Sequence, residues 1–120
     1  MPELEAADAT WRSERPPPVF ACLVEHQTER VVVSVHGELD VASAPVLERR
    51  LLELFNLPLS RVIVDASQLT FIDSAGLRVL VRAHAAAEER SVDFEIEGAS
   101  CRMQGMLSRA GVAALPAPGQ

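Results

Sequence analysis

A chain of 120 residues is the size of one domain, long enough to bury roughly two thirds of its unfolded surface in a single core. Hydrophobic residues make up 48% and charged residues 23%, a balance that excludes disordered and fibrous classes and fits a soluble globular protein. The net charge of -6 sets 17 acidic residues against 11 basic ones, all of them arginine and scattered from Arg12 to Arg109. Phosphate backbones and acidic membrane surfaces reward clustered cations, so neither nucleic acid nor membrane is an expected partner.

The opening stretch MPELEAADATWRSERPPP is acidic and has no basic-then-apolar pattern, which argues against a secretory signal. No apolar run approaches the roughly 20 residues of a spanning helix, so the expected setting is the cytoplasm. Pro16, Pro17 and Pro18 favour an extended conformation, and residues 1–18 read as a flexible arm whose removal should leave the fold intact. Trp11, the only tryptophan, is expected to pack loosely on its own domain.

Two β-branched runs follow, Val19 to His26 and Arg30 to Gly37, with a hairpin-length link between them. GELDVASAP breaks this pattern. Ala44 to Phe55 then places Leu47, Leu51 and Leu54 on one helical face, with Glu48, Arg49 and Glu53 elsewhere. Ser43 stands where an N-cap belongs, and Pro45 suits a first turn, whose N–H groups lack intrahelical partners. Arg61 to Ala66 is a nearly continuous apolar run, as expected of a central strand.

SQLTFID reads as a loop. From Ser74 to about Arg90, Leu77, Leu80, Val81 and His84 recur at helical spacing, with Arg78, Arg82 and Glu89 on another face. Val92, Phe94 and Ile96 alternate with Asp93, Glu95 and Glu97, the pattern of a strand with one wet face or at an edge. A last helix spans about Ser100 to Ala110 and stops at Gly111, after which residues 116–120 form a tail. The expected fold is α/β, a single domain in the order β-β-α-β-α-β-α. Its sheet of four to five strands is mixed but mostly parallel, with helices packed on it. Loops that leave strands and enter helices gather at one end of such a sheet, which brings Gly37-Glu38-Leu39-Asp40 beside Phe71-Ile72-Asp73-Ser74.

Two readings of Asp73 and Ser74 stand side by side. In one, Ser74 is an N-cap and Asp73 favours the helix dipole, a cap worth about 1 kcal/mol. In the other, Ser74 carries a phosphate of about -1.5 to -2 charges, tolerated by the helix N-terminus but repelled by a partner docked over Asp73, Asp40 and Glu38. Enzyme chemistry has little support: His26, His36 and His84 are dispersed, DSAGL lacks the G-x-S-x-G elbow, and no glycine-rich phosphate loop follows a strand. His84 alone on an apolar face reads as a core histidine. Cys22 and Cys101 read as two reduced thiols, and no metal or cofactor is expected.

VVVSVHGELDVASAPVLERRLLEL, RVIVDASQLTFIDSAGLRVLVRAH and SRAGV, in this order, resemble the STAS domain of bacterial anti-sigma factor antagonists over residues 19–115. The resemblance implies that Ser74 is phosphorylated by the partner anti-sigma factor, which doubles as a serine kinase and holds the ATP. Asp73, Ala75, Gly76, Leu77, Glu38 and Asp40 would form the neighbourhood of the phosphosite and the partner-binding surface. It implies a cycle in which the unmodified protein sequesters the anti-sigma factor and frees a sigma factor, and a phosphatase resets Ser74. STAS domains also serve as non-switching adaptors beside lipid-transport ATPases or in stress-sensing assemblies, and that role is the alternative.

Overall fold

The computed structural model describes residues 20–115; the arm over residues 1–18 and the tail over residues 116–120 lie outside the described residues. Strands β1 (Phe20–Gln27) and β2 (Arg30–Leu39) form an antiparallel hairpin closed by the Gln27–Arg30 pair. Then come α1 (Ala44–Phe55), β3 (Arg61–Ile72), α2 (Ser74–Glu89), β4 (Asp93–Glu97) and α3 (Cys101–Arg109). The sheet order is β1-β2-β3-β4, with β3 parallel to both of its neighbours. The expected α/β order and mixed sheet are therefore present, with four strands.

Strand alternation divides the sheet into two faces. Val31, Val33 and Val35 of β2, Val62 and Val64 of β3 and Ile96 of β4 point into one buried cluster with Leu47, Leu51, Leu80, Ala83, Met103 and Leu107 of the helices. Leu47 and Leu51 are fully buried, each contributing about 2 kcal/mol of apolar transfer. The opposite face carries Arg61 and Glu95, paired at 3.6 Å and partly exposed, beside Ile63, which is buried. Asp93 is exposed and Ile96 buried, which makes β4 the one-sided edge strand its alternation implied.

Three expectations are corrected. SQLTFID is not a loop through its first six residues, because β3 continues to Ile72. Its pairing with β2 slips by one residue at each of two places, between Ser34 and His36 and between Gly37 and Glu38, so β3 holds two extra residues. Polar residues at such bulges look like a loop from sequence alone. By the same pairing, β2 runs to Leu39, and Gly37-Glu38-Leu39 belongs to a strand.

The second correction concerns α2, whose buried stripe is Gly76, Val79, Leu80, Ala83 and Ala87. Leu77 and Val81 are half-buried at its margin, and His84 is no core histidine: its side chain is 32% exposed, with Nε2 3.9 Å from Glu88. Small residues let the helix approach the sheet closely, and a pattern keyed to large side chains misses that face. The third is Ser43, which holds the N-cap position of α1 but makes no side-chain cap bond.

α3 ends as expected, with Gly111 at φ 86°, a conformation that favours glycine. Beyond it, Leu115 N–H donates to Ile96 O at 2.8 Å and Leu115 O accepts from Ala99 N–H at 3.3 Å. The chain thus touches the outer edge of β4 without forming a strand.

Candidate functional site

The site begins with strand pairing. Glu38 lies beside Phe71 and Leu39 beside Ile72 in the parallel β2–β3 ladder, so the two strands deliver their chains side by side to the starts of α1 and α2. Asp73 N–H continues the pairing by donating to Leu39 O at 3.2 Å. Gly76 closes the approach: a Cβ there would lie 2.6 Å from Leu39 O and 2.7 Å from Leu39 Cγ. The motif glycine is thus needed for contact between a helix and a strand end.

In the first of these two turns, Asp40 Oδ1 accepts from Ala42 N–H at 3.0 Å and Ser43 N–H at 3.1 Å. The bond from the Ser43 amide is the main reason the Asp40 carboxyl is held below its ordinary range. Ser43 Oγ donates to Glu38 O at 2.7 Å and accepts from Asp40 N–H at 2.9 Å. It is 7% exposed, and its hydroxyl is wholly engaged in holding the turn.

The second turn assigns its groups differently. Asp73, not Ser74, is the N-cap of α2: it has extended backbone, and its Oδ1 accepts from Ala75 N–H at 2.9 Å and Gly76 N–H at 3.0 Å. Asp73 O also accepts from Leu77 N–H at 2.9 Å, the first bond of the helix. Ser74 is therefore the first helical residue, its side chain is exposed, and among the described residues its hydroxyl has no hydrogen-bond partner. The reading of Ser74 as the cap is corrected on this point. The carboxylate has two acceptor oxygens and the shorter reach to amides two and three residues on, so it takes the cap and leaves the hydroxyl to solvent.

The other expected site residues separate into two groups. Glu38 is exposed and Asp40 half-buried at the same end of the sheet as Ser74. Ala75 and Leu77 are half-buried against the core, and Gly76 is buried; these three shape the turn from beneath. Sequence reasoning missed two exposed apolar side chains beside the acidic residues, Phe71 at 48% and Val41 at 74% exposure. Their signal was weak because both stand in stretches that read as loop, Val41 directly after Asp40 and Phe71 between Thr70 and Ile72. A pocket of about 180 Å³ opens between Phe71 and Ile72 and the start of α3 at Ser100 and Met103.

Among the described residues no group of three or more histidine, cysteine, aspartate or glutamate side chains could hold a metal ion, and no hydrogen bond joins a histidine to Ser74. Cys22 and Cys101 are free thiols, and burial pushes the Cys22 thiol up from its ordinary value. Among the described residues no helix is long and apolar enough to cross a membrane.

No curated protein matches the chain. Several solved structures are similar to it. An anti-sigma factor antagonist from Mycobacterium paratuberculosis superposes with a TM-score of 0.71 at 25% identity, covering 84% of this chain and 88% of that one. The Bacillus cell fate determinant SpoIIAA in its phosphorylated form gives 0.70 at 19% identity, covering 82% and 93%. The murine anion transporter Slc26a9 gives 0.64 at 14% identity, with 78% of this chain matched to 17% of that one. At these lower identities the likeness is one of fold alone. The family model described as "Mlab, STAS domain" matches residues 22–117, nearly all of the described chain. A β-β-α-β-α-β-α sheet with an aspartate-capped helix start at its working end, matched over that span, identifies the chain as a member of the STAS domain family.

Proposed function

We propose that this chain is an anti-sigma factor antagonist: unmodified, it binds an anti-sigma factor that has serine kinase activity and so releases a sigma factor, and phosphate on Ser74 ends that binding. The observation that carries the reading is the division of labour at α2, where Asp73 caps the helix and Ser74 Oγ is exposed and without a protein partner among the described residues. A hydroxyl needed for capping would be a poor substrate; this one is not needed.

In the phosphorylation step the Ser74 Oγ–P bond forms as the bond between the γ-phosphorus of ATP and its bridging oxygen breaks. ADP leaves, and the hydroxyl proton passes to a base of the kinase. The ATP belongs to the partner. Phosphate adds about -1.5 to -2 charges to a surface that already holds Glu38, Asp40 and Asp73. Exposed Phe71 and Val41 supply apolar area for docking, and a charge desolvated among them weakens binding tenfold for every 1.4 kcal/mol. A phosphatase acting on Ser74 resets the cycle. The reading makes the protein a bacterial regulator of transcription working in the cytoplasm, where ATP and sigma factors are found.

Incubation with the cognate kinase and ATP, followed by peptide mapping, should place the label on Ser74; label elsewhere, or none, refutes the assignment. Ser74→Ala should keep partner binding and lose modification, and Ser74→Asp should weaken binding. A second reading, a non-switching adaptor beside a lipid-transport ATPase or in a stress-signalling scaffold, draws on the description of the matched family model and on the same fold occurring within a transporter. Co-purification of a transport ATPase in place of a kinase would favour it.

A further inference from the structure

Ser74, Arg78 and Arg82 occupy successive i, i+4 positions of α2, and all three side chains are exposed. Residues four apart in a helix lie nearly above one another, with Cβ atoms about 6 Å apart. The two arginines have different surroundings. Arg82 is held by Glu48 of α1 through two bonds of 2.8 Å, from Nε and from the terminal nitrogen, and the pairing raises the Arg82 pKa as it lowers that of Glu48. Arg78, one turn nearer the helix start, forms no ion pair among the described residues.

Arg78 thus projects one turn on from the exposed Ser74 along the same side of the helix, while the carboxylate next door, Asp73, is bonded to the amides of Ala75 and Gly76. The geometry points to Arg78 as the internal counter-ion of a phosphate on Ser74: the guanidinium donates N–H bonds to two phosphate oxygens and ties the modified side chain down along α2. Arginine presents a planar fork that matches phosphate oxygens, and the order anion then cation along the helix is the favourable one. Phosphorylation then changes the docking face in two ways, adding negative charge and withdrawing the Arg78 cation from it. Arg82 cannot substitute, since it lies two turns from Ser74 and is occupied by Glu48.

The inference rests on the phosphorylation reading, and its test is independent of any kinase because phosphoserine is inserted at position 74 through the genetic code. Phosphorus NMR then follows the second ionisation of the phosphate, near pH 6. The charged groups around it are Asp73, Glu38 and Asp40, which raise that value, and Arg78, which lowers it by favouring the dianion. Arg78→Gln is expected to raise it by about 0.4 unit. The difference should shrink in 1 M salt, and Arg82→Gln should leave the value unchanged. Equal values in wild type and Arg78→Gln, or a larger effect from Arg82→Gln, would overturn the assignment. In the unsubstituted phosphoprotein the Arg78 Nε–H resonance should move downfield relative to the unmodified chain; an unmoved resonance overturns it as well. If the cognate kinase never labels Ser74, these measurements still report on the pair.

Discussion

The starts of α1 and α2 contain the same chemistry in opposite arrangements. Each joins a strand end to a helix with an aspartate and a serine, Asp40 and Ser43 in one, Asp73 and Ser74 in the other. At α1 the serine is buried and bonded on both sides, to Glu38 O and from Asp40 N–H. At α2 the aspartate makes both cap bonds, and the serine is exposed. The lesson is that a hydroxyl at a helix start becomes available for chemistry when a neighbour has already satisfied the backbone. Ser43 is structure and Ser74 is surface, although both sit at the mouth of the same pair of strands.

Substitutions should break this contrast in a fixed order. Gly76→Ala should have the largest effect, about 3 kcal/mol by denaturant unfolding, because the new Cβ would meet the Leu39 carbonyl at 2.6 Å and neither backbone can retreat cheaply. Ser43→Ala should cost about 2 kcal/mol by stranding Glu38 O and Asp40 N–H, whereas Ser74→Ala should stay within about 0.5 kcal/mol. Asp73→Ala should fall between them, at about 1 kcal/mol for a lost cap. Equal effects for the two serines would show that the helix starts do not divide as described.

The smallest effect is electrostatic. The Asp40 carboxyl titrates below its unfolded value of about 3.9, chiefly because the Ser43 amide bonds to its charged form. A depressed carboxyl stabilises the fold above its unfolded value, and that contribution is lost as the pH falls through the folded one. Glu48, lowered by Arg82, acts with the same sign. Unfolding measured between pH 5 and pH 3 should therefore show stability falling on acidification, with a shallower fall in Asp40→Asn.

Much of the fold was legible because its signals are local. The bounds of α1 follow from the leucine spacing at residues 47, 51 and 54 and from Pro45, and the wet face of β4 follows from three acidic residues in alternation. That Asp73 and Ser74 mark a helix start was legible for the same reason. The extension of β3 was not, since Ser67, Gln68 and Thr70 lie where β3 bulges against β2, and only the pairing on either side makes this stretch a strand. Phe71 and Val41 escaped notice because exposure is decided by what packs nearby, and in these two cases nothing among the described residues covers them fully.

The amino-acid sequence by itself determined the order of the elements, the apolar stripe of α1 and the presence of an aspartate–serine pair at each of two helix starts, because periodicity and turn chemistry act over a few residues. Only the tertiary structure decided which serine is bound up and which is exposed, and which face of α2 is buried. The bonds that engage Ser43 and free Ser74 run only two to five residues, but the turns in which they form are set where β2 pairs with β3 and Gly76 meets Leu39, and contacts between segments more than thirty residues apart leave no local pattern to read.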